Sequence, residues 1–299
     1  MTTAFSSELI NLIQEHAAAL DPRPTGQDFH TPTLSGIRAV VFDVYGTLIV
    51  SGVGDISLAG AGGRSEQIRQ ALSAYGLEIQ DREADLAAAF HETIVALQQK
   101  RREEGIDHPE VEIREVWEQF LEEWNTRELL RGELTLKKIE HIAVHYEMAV
   151  NPVWPMPGLA KVLESLAQRA IPTGIISNAQ FFTPLLFPAL TGKSLEAFQV
   201  EERCSIWSYR EREAKPSTHL YEKAAEKWKA CHQISPGEIL YIGNDMRNDI
   251  WPAHEVGFKT ALFAGDLRSL RLREDHPQAS RIKPDWIVTD LLQILTALG

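Results

Sequence analysis

Three short apolar runs in this chain each stop abruptly at a small polar cluster, and that recurrence constrains the fold more than any other feature. Ile37-Arg38-Ala39-Val40-Val41-Phe42 ends at Asp43-Val44-Tyr45-Gly46-Thr47. Pro172-Thr173-Gly174-Ile175-Ile176 ends at Ser177-Asn178, and Glu238-Ile239-Leu240-Tyr241-Ile242 ends at Gly243-Asn244-Asp245. Continuous β-branched and apolar runs of this length read as strands buried on both faces. Helical spacing of apolar residues falls between and after them, at 158–169, 216–230 and 248–256, the last closed by Gly257 as a C-terminal cap. Further short strands are expected near 204–208, at 258–263 and at 286–288, with a closing helix at 290–298. Alternation of this kind predicts an α/β fold with a parallel sheet flanked by helices.

The rest of the chain differs in character. Residues 4–20 have helical spacing with Ser6 or Ser7 as the cap, and the proline- and glycine-rich run 21–36 ends that helix. Residues 51–63 are small and glycine-rich and read as loop. Segments 65–76, 82–104, 110–129 and 133–148 pattern as amphipathic helices with a charged outer face. Within them Trp117, Phe120 and Trp124 share helical spacing, which favours core packing over a binding surface. The three prolines of 151–158 (NPVWPMPG) read as a linker back to the alternating region.

Charge and cysteine content narrow the function classes. With 30 Lys and Arg against 42 Asp and Glu, the net charge is −12, which disfavours nucleic acid as a partner. No run approaches the length of a membrane span, and the first residues lack the pattern of a secretory leader. Two cysteines, Cys204 and Cys231, cannot by themselves build a disulfide framework or a four-ligand zinc site. The expectation is a cytoplasmic protein whose partner is a small anionic metabolite; a homodimer is left open.

Ligands of open α/β sheets bind beyond the carboxyl ends of the strands. Asp43, placed in a tight turn at such an end, is the candidate nucleophile, since a carboxylate can attack phosphorus or activated carbon and leave an ester for water to cleave. Gly46 would let the backbone pass close to a substrate, and turn N–H groups would hold its oxygens. Lys215 precedes a helix in the same half of the chain.

The stretches FDVYGTL, ISNA, AKPS and IGNDMRND, in that order, resemble the four motifs of the haloacid dehalogenase superfamily of hydrolases. The resemblance covers residues 36–50 and 153–290. It implies a Rossmann-like core at 36–51 and 153–299, a helical cap domain at 52–152 and an N-terminal helical extension at 1–35. It also implies a nucleophile at Asp43, a charge-neutralising Lys215, Thr47 hydrogen-bonded to the nucleophile, and Ser177 with Asn178 on substrate oxygens. Tyr45 and Gly46 complete the expected substrate-binding turn.

Two departures from the family pattern matter. The metal-binding Asp that follows Gly in the fourth motif is Asn244 here, with an acid one residue later at Asp245 and a second at Asp249. Asn244 could bind through its amide oxygen, Asp245 could replace it, or tight metal binding could be lost. The reading favoured is a retained Mg²⁺ site built from Asp43, the Tyr45 carbonyl and Asn244 or Asp245, with Asp249 in support. Second, phosphatases of the superfamily carry a proton-donating Asp two residues after the nucleophile, and that position is Tyr45. A phenol is a poor acid–base group at neutral pH, and the FDVYGT spelling is similar to the branch that displaces halide from 2-haloacids.

The expected function is Mg²⁺-dependent hydrolysis of a small phosphate ester or anhydride. The alternatives are carbon–halogen hydrolysis and a catalytically weak ligand-binding member. Asp55, His91 and His108 are candidate replacement acids for the phosphatase reading. Arg64 and Arg69 are positional candidates for the substrate-binding arginine of the dehalogenase branch, and Tyr221 resembles an aromatic found there.

Overall fold

The computed structural model describes residues 2–53 and 64–298. Helix α1 (Thr2–His16) opens the chain, followed by an extended segment. Strand β1 (Ala39–Phe42) has all four residues buried, which is why its sequence carries no polar alternation. It leads through the Asp43 turn to β2 (Ile49–Ser51). Helix α2 (Ser65–Ala74), β3 (Glu78–Ile79), α3 (Leu86–Glu103), α4 (Ile113–Thr126), β4 (Leu130–Arg131) and α5 (Leu136–Val150) form the helical block. Strand β5 (Val153–Pro155) returns the chain to α6 (Leu159–Gln168), β6 (Thr173–Ser177), α7 (Thr183–Thr191), β7 (Ile206–Trp207), α8 (Ser208–Glu211) and α9 (His219–His232). Strand β8 (Ile239–Gly243), α10 (Trp251–Val256), β9 (Lys259–Phe263), β10 (Trp286–Val288) and α11 (Leu292–Ala297) complete it.

Six strands form one parallel sheet in the order β10-β9-β8-β1-β6-β7. The first strand therefore lies in the middle, and the chain winds outward from it in both directions. The crevice beyond its carboxyl end is where such a sheet receives ligands. The period-2 pleat sends Val40, Phe42, Ile175, Leu240 and Ile242 into one layer, covered by α1, α6, α7 and α11. Ala39, Val41, Ile176, Ile239 and Tyr241 point into the other, under α9 and α10.

The run 151–158 is more than a linker. Val153–Pro155 pairs antiparallel with Ile49–Ser51, so the entry to and exit from the helical block are zipped together. In a two-stranded ribbon every strand has a free edge, and there a proline's missing N–H costs no ladder bond. Helix α7 was not expected from its sequence, TPLLFPALT, which carries two prolines. Pro184 falls in the first turn, where its missing N–H has no helical partner, and Pro188 forgoes a single bond in a helix of nine residues.

The helical block has its own core, in which Phe90, Trp117, Phe120, Trp124 and Tyr146 pack together, with the Phe90 and Trp117 ring centroids 4.4 Å apart. Trp117 and Phe120 are core residues, not a binding surface. Two backbone hydrogen bonds join the block to the segment before Lys215: Glu110 N–H donates to the Arg212 carbonyl and Ala214 N–H to the His108 carbonyl. Gln180 adds a side-chain clamp, donating to the Val111 carbonyl at 2.8 Å and accepting from Ile113 N–H at 2.9 Å. Helix α1 packs on both α5 and α7, with Lys137 donating to Glu8 and Gln14 to the Ala189 carbonyl. Among the described residues, no helix is long and apolar enough to cross a membrane.

Candidate active site

Four strand-end segments converge on one buried ammonium. Lys215 Nζ lies 2.7 Å from Asp43 Oδ1 and 2.5 Å from Asp249 Oδ1, and all three side chains are under a tenth exposed. Asp43 stands at the end of β1, its own N–H donating to the Ile242 carbonyl of β8. Asp249 is brought beneath β8 because Gly243 lacks a side chain: a Cβ there would lie 2.4 Å from Asp249 Cγ. Lys215 is aimed from its backbone, since its N–H donates to Asn178 Oδ1 at 2.8 Å. The Tyr241 hydroxyl sits 2.9 Å from Asp249 Oδ1 and 3.1 Å from the Ile176 carbonyl, closing the floor of the site.

One cation between two carboxylates leaves the cluster one negative charge in excess. Burial raises the Asp43 pKa to about 6; the Lys215 charge opposes that rise and the Asp249 charge adds to it. Burial alone would discharge Lys215, but the Asp249 and Asp43 carboxylates outweigh it and hold the ammonium above its ordinary range. Asp43 is thus a carboxylate at neutral pH with its charge partly masked, as a nucleophile in a dry site requires. The Ser177 hydroxyl, fully buried, is within hydrogen-bond reach of Asp43 and 3.2 Å from the Asn178 carbonyl.

Several residues take posts other than those expected. Asn178 serves the Lys215 backbone rather than facing open space. Thr47 donates to Asn244 Oδ1 at 3.1 Å, not to Asp43, and Asn244 Nδ2 in turn donates to the Ser269 carbonyl at 2.7 Å. Gly46 has φ of +81°, and a Cβ on it would lie 2.5 Å from Ser269 Cβ and 2.7 Å from Asn244 Nδ2. Its close approach is to this protein's own fourth-motif loop. The Tyr45 hydroxyl is hydrogen-bonded to Thr183 at 3.0 Å, and burial together with the Glu147 charge raises its pKa.

The expected Mg²⁺ donors can be tested against this geometry. Asp245 is held by Arg273, 2.6 Å from its Oδ2, and its Oδ1 accepts the N–H groups of Arg247 and Asn248. Asp249 accepts from Lys215 and Tyr241 on Oδ1 and from the N–H groups of Asn244 and Asp245 on Oδ2. What remains is one carboxylate already bound to an ammonium, a carbonyl, and a neutral amide oxygen. Among the described residues, no group of three or more His, Cys, Asp or Glu is disposed to hold a metal. A dication that relies on carboxylate charge is not matched by this donor set.

Elsewhere, Arg69 is committed to the carbonyls of Asp81, Arg82 and Ala84, outside the site. Arg64 stands at the N-terminal end of α2, hydrogen-bonded to Tyr146 and electrostatically coupled to Glu147. Tyr221 is buried, donates to the Asn248 carbonyl and packs on Tyr241. His91 is exposed, and His108 offers its carbonyl to Ala214. Asp55 lies outside the described residues. Glu147 and Gln180 went unnoticed in the sequence, because neither belongs to a motif and both gain their meaning from partners far along the chain.

The fold has solved counterparts. A 2-haloacid dehalogenase from Pseudomonas syringae pv. Tomato DC3000 superposes with a TM-score of 0.53 at 14% identity, covering 88% of this chain and 98% of that one. An L-2-haloacid dehalogenase from Xanthobacter autotrophicus gives 0.46 at 18% identity, covering 86% of this chain and 96% of that one. A predicted phosphoglycolate phosphatase from Haemophilus somnus 129pt gives 0.45 at 16%, covering 89% and 100%. No curated protein matches the chain. The family profile of haloacid dehalogenase-like hydrolases matches residues 37–257, from the strand that carries Asp43 to the end of the helix following Asp249. With most of its length matched and the four motif segments gathered around Lys215, this chain belongs to the haloacid dehalogenase-like hydrolases.

Proposed function

We propose that the chain hydrolyses a small anionic substrate whose leaving group departs without a proton, and that short 2-halocarboxylates are the class that fits. The observation that carries this reading is Tyr45. Its phenol stands in the sequence position of the proton donor used on phosphate esters, is bound to Thr183, and has a raised pKa. An alkoxide leaving group would go unprotonated there; a halide needs no proton. The crowded fourth-motif acids point the same way, since their lone pairs already serve Lys215, Tyr241, Arg273 and backbone N–H groups.

The Asp43 oxygen not held by Lys215 attacks C2 of the substrate. The carbon–halogen bond breaks, halide leaves with its electron pair, and an ester joins Asp43 to the substrate. Water then adds to the ester carbonyl, with the Lys215 ammonium beside the developing oxyanion. Cleavage of the acyl–oxygen bond releases a 2-hydroxycarboxylate and one proton to solvent, and Asp43 is restored.

Halide release from 2-chloropropionate, unchanged by EDTA and abolished in Asp43→Asn, is the expected result. Phosphate release from phosphorylated metabolites that requires Mg²⁺ and vanishes with EDTA would overturn the reading and restore the phosphatase expectation.

A further inference from the structure

In the sequence Tyr241 is one more residue of an apolar run. In the structure it is fully buried, and its side chain leaves β8 on the face covered by α9 and α10. The Tyr221 ring meets it edge-on with centroids 5.1 Å apart, so packing holds the aromatic body. A phenylalanine would fill this layer, beside Ala39, Val41, Ile176 and Ile239, as well as a tyrosine does. The hydroxyl is what packing does not explain, and a buried hydroxyl needs partners. It has three: Asp249 Oδ1 at 2.9 Å, the Ile176 carbonyl at 3.1 Å and Lys215 Nζ at 3.4 Å.

The ammonium beside it brings three N–H groups and no acceptor. Those of Lys215 face Asp43 Oδ1 at 2.7 Å, Asp249 Oδ1 at 2.5 Å and the Tyr241 oxygen at 3.4 Å. The two carboxylates pull the cation from two sides, and the phenol gives it a third point of support. The phenol also has one proton to give, and the nearer acceptor is the anion, Asp249 Oδ1. Donation there spreads the Asp249 charge over a second partner, so Asp249 competes less strongly with Asp43 for the shared cation. The donating contact is shorter than the accepting one, and it governs the outcome when the hydroxyl is removed. Without it the ammonium moves toward Asp249 and away from Asp43.

We infer that Tyr241 is a positioning residue: its hydroxyl holds the Lys215 ammonium against Asp43 and keeps Asp249 from drawing it away. Having no exposed surface, it acts through Lys215 rather than on the substrate. This rests on Asp43 as the nucleophile in the reading above and is independent of which leaving group departs.

Tyr241→Phe removes the hydroxyl and keeps the ring. With 2-chloropropionate, kcat should fall roughly tenfold or more while KM stays within about twofold of the wild-type value. A hydroxyl that only supports packing would lower the melting temperature and leave kcat, measured well below that temperature, unchanged; that result would overturn the inference. A second readout needs no substrate. In protein carrying ¹⁵N-labelled lysine and ¹³C-labelled aspartate, the NMR coupling across the hydrogen bond from Lys215 Nζ to the Asp43 carboxyl carbon should weaken in the variant. The coupling to the Asp249 carboxyl carbon should persist. An Asp43 coupling equal in the two proteins refutes the positioning role. A wild type that releases no halide sinks the halocarboxylate reading alone, and the coupling then decides for Tyr241. If the variant does not fold, the wild type still decides. A nuclear Overhauser contact between the Tyr241 hydroxyl proton and the Lys215 ammonium protons is expected there, and its absence counts against the inference.

Discussion

Replacing Lys215 by Met removes the cation from between two buried carboxylates and keeps most of the side-chain volume. In the native cluster Asp43 and Asp249 share that ammonium at 2.7 and 2.5 Å, with 7% and 2% of their side chains exposed. Breaking a buried ion pair by deleting one partner costs about 3–5 kcal/mol, because the stranded charge has neither water nor counter-ion. The cost should depend on pH in a direction set by Asp43. Its folded pKa, about 6, is already above the unfolded value of about 3.9, so the native state binds the proton more tightly and stability falls as pH rises between the two. Without Lys215 the folded pKa rises further, and the loss continues to higher pH by ~1.4 kcal/mol per unit of added shift. Urea denaturation of wild type and Lys215→Met near pH ~5 and pH ~8 measures this directly. The destabilisation should be largest at the higher pH and shrink at the lower one, where Asp43 takes up a proton. Equal destabilisation at both, or a difference below about 1 kcal/mol at the higher pH, would refute the view of Lys215 as the counter-ion of a charge-strained pair.

Two further outcomes follow from the same geometry. Because attack needs ionised Asp43, kcat/KM should rise about tenfold per pH unit on the acid side of ~6, a limb read from initial rates across pH. Gly46→Ala places a Cβ in the left-handed region and within 2.7 Å of both Ser269 and Asn244. It should destabilise the chain by roughly 1–3 kcal/mol in thermal melts and displace the turn that presents Asp43.

The parts of the site that could be read in the sequence were those set by local rules. A strand buried on both faces shows as an unbroken apolar run, and its polar end marks the crevice, which located Asp43, Ser177 and Asn244 without any knowledge of their partners. Lys215 was legible because the stretch AKPS resembles a family motif. What each side chain bonds was not. Thr47 and Asn178 sit where expected, but their partners are Asn244 and the Lys215 backbone, contacts spanning 197 and 37 residues. Asp245 looked like a metal ligand until Arg273, on a loop 28 residues later, was seen to hold it. Glu147 was hidden for a different reason. On a charged amphipathic helix a glutamate is ordinarily solvated, whereas this one is buried and tied through Asn151 to Ser51 of β2.

The segment 212–215 does two jobs with one stretch of backbone. Arg212 and Ala214 form the bridge to 108–110, and the next residue is the lysine that holds Asp43 and Asp249. The helical block and the charged centre are therefore gauged from the same reference edge, with only one peptide unit between the two measurements. A block seated out of register would displace the lysine, and a displaced lysine would pull on the seat. Alignment of the charged centre and docking of the helical block are one tolerance here, not two.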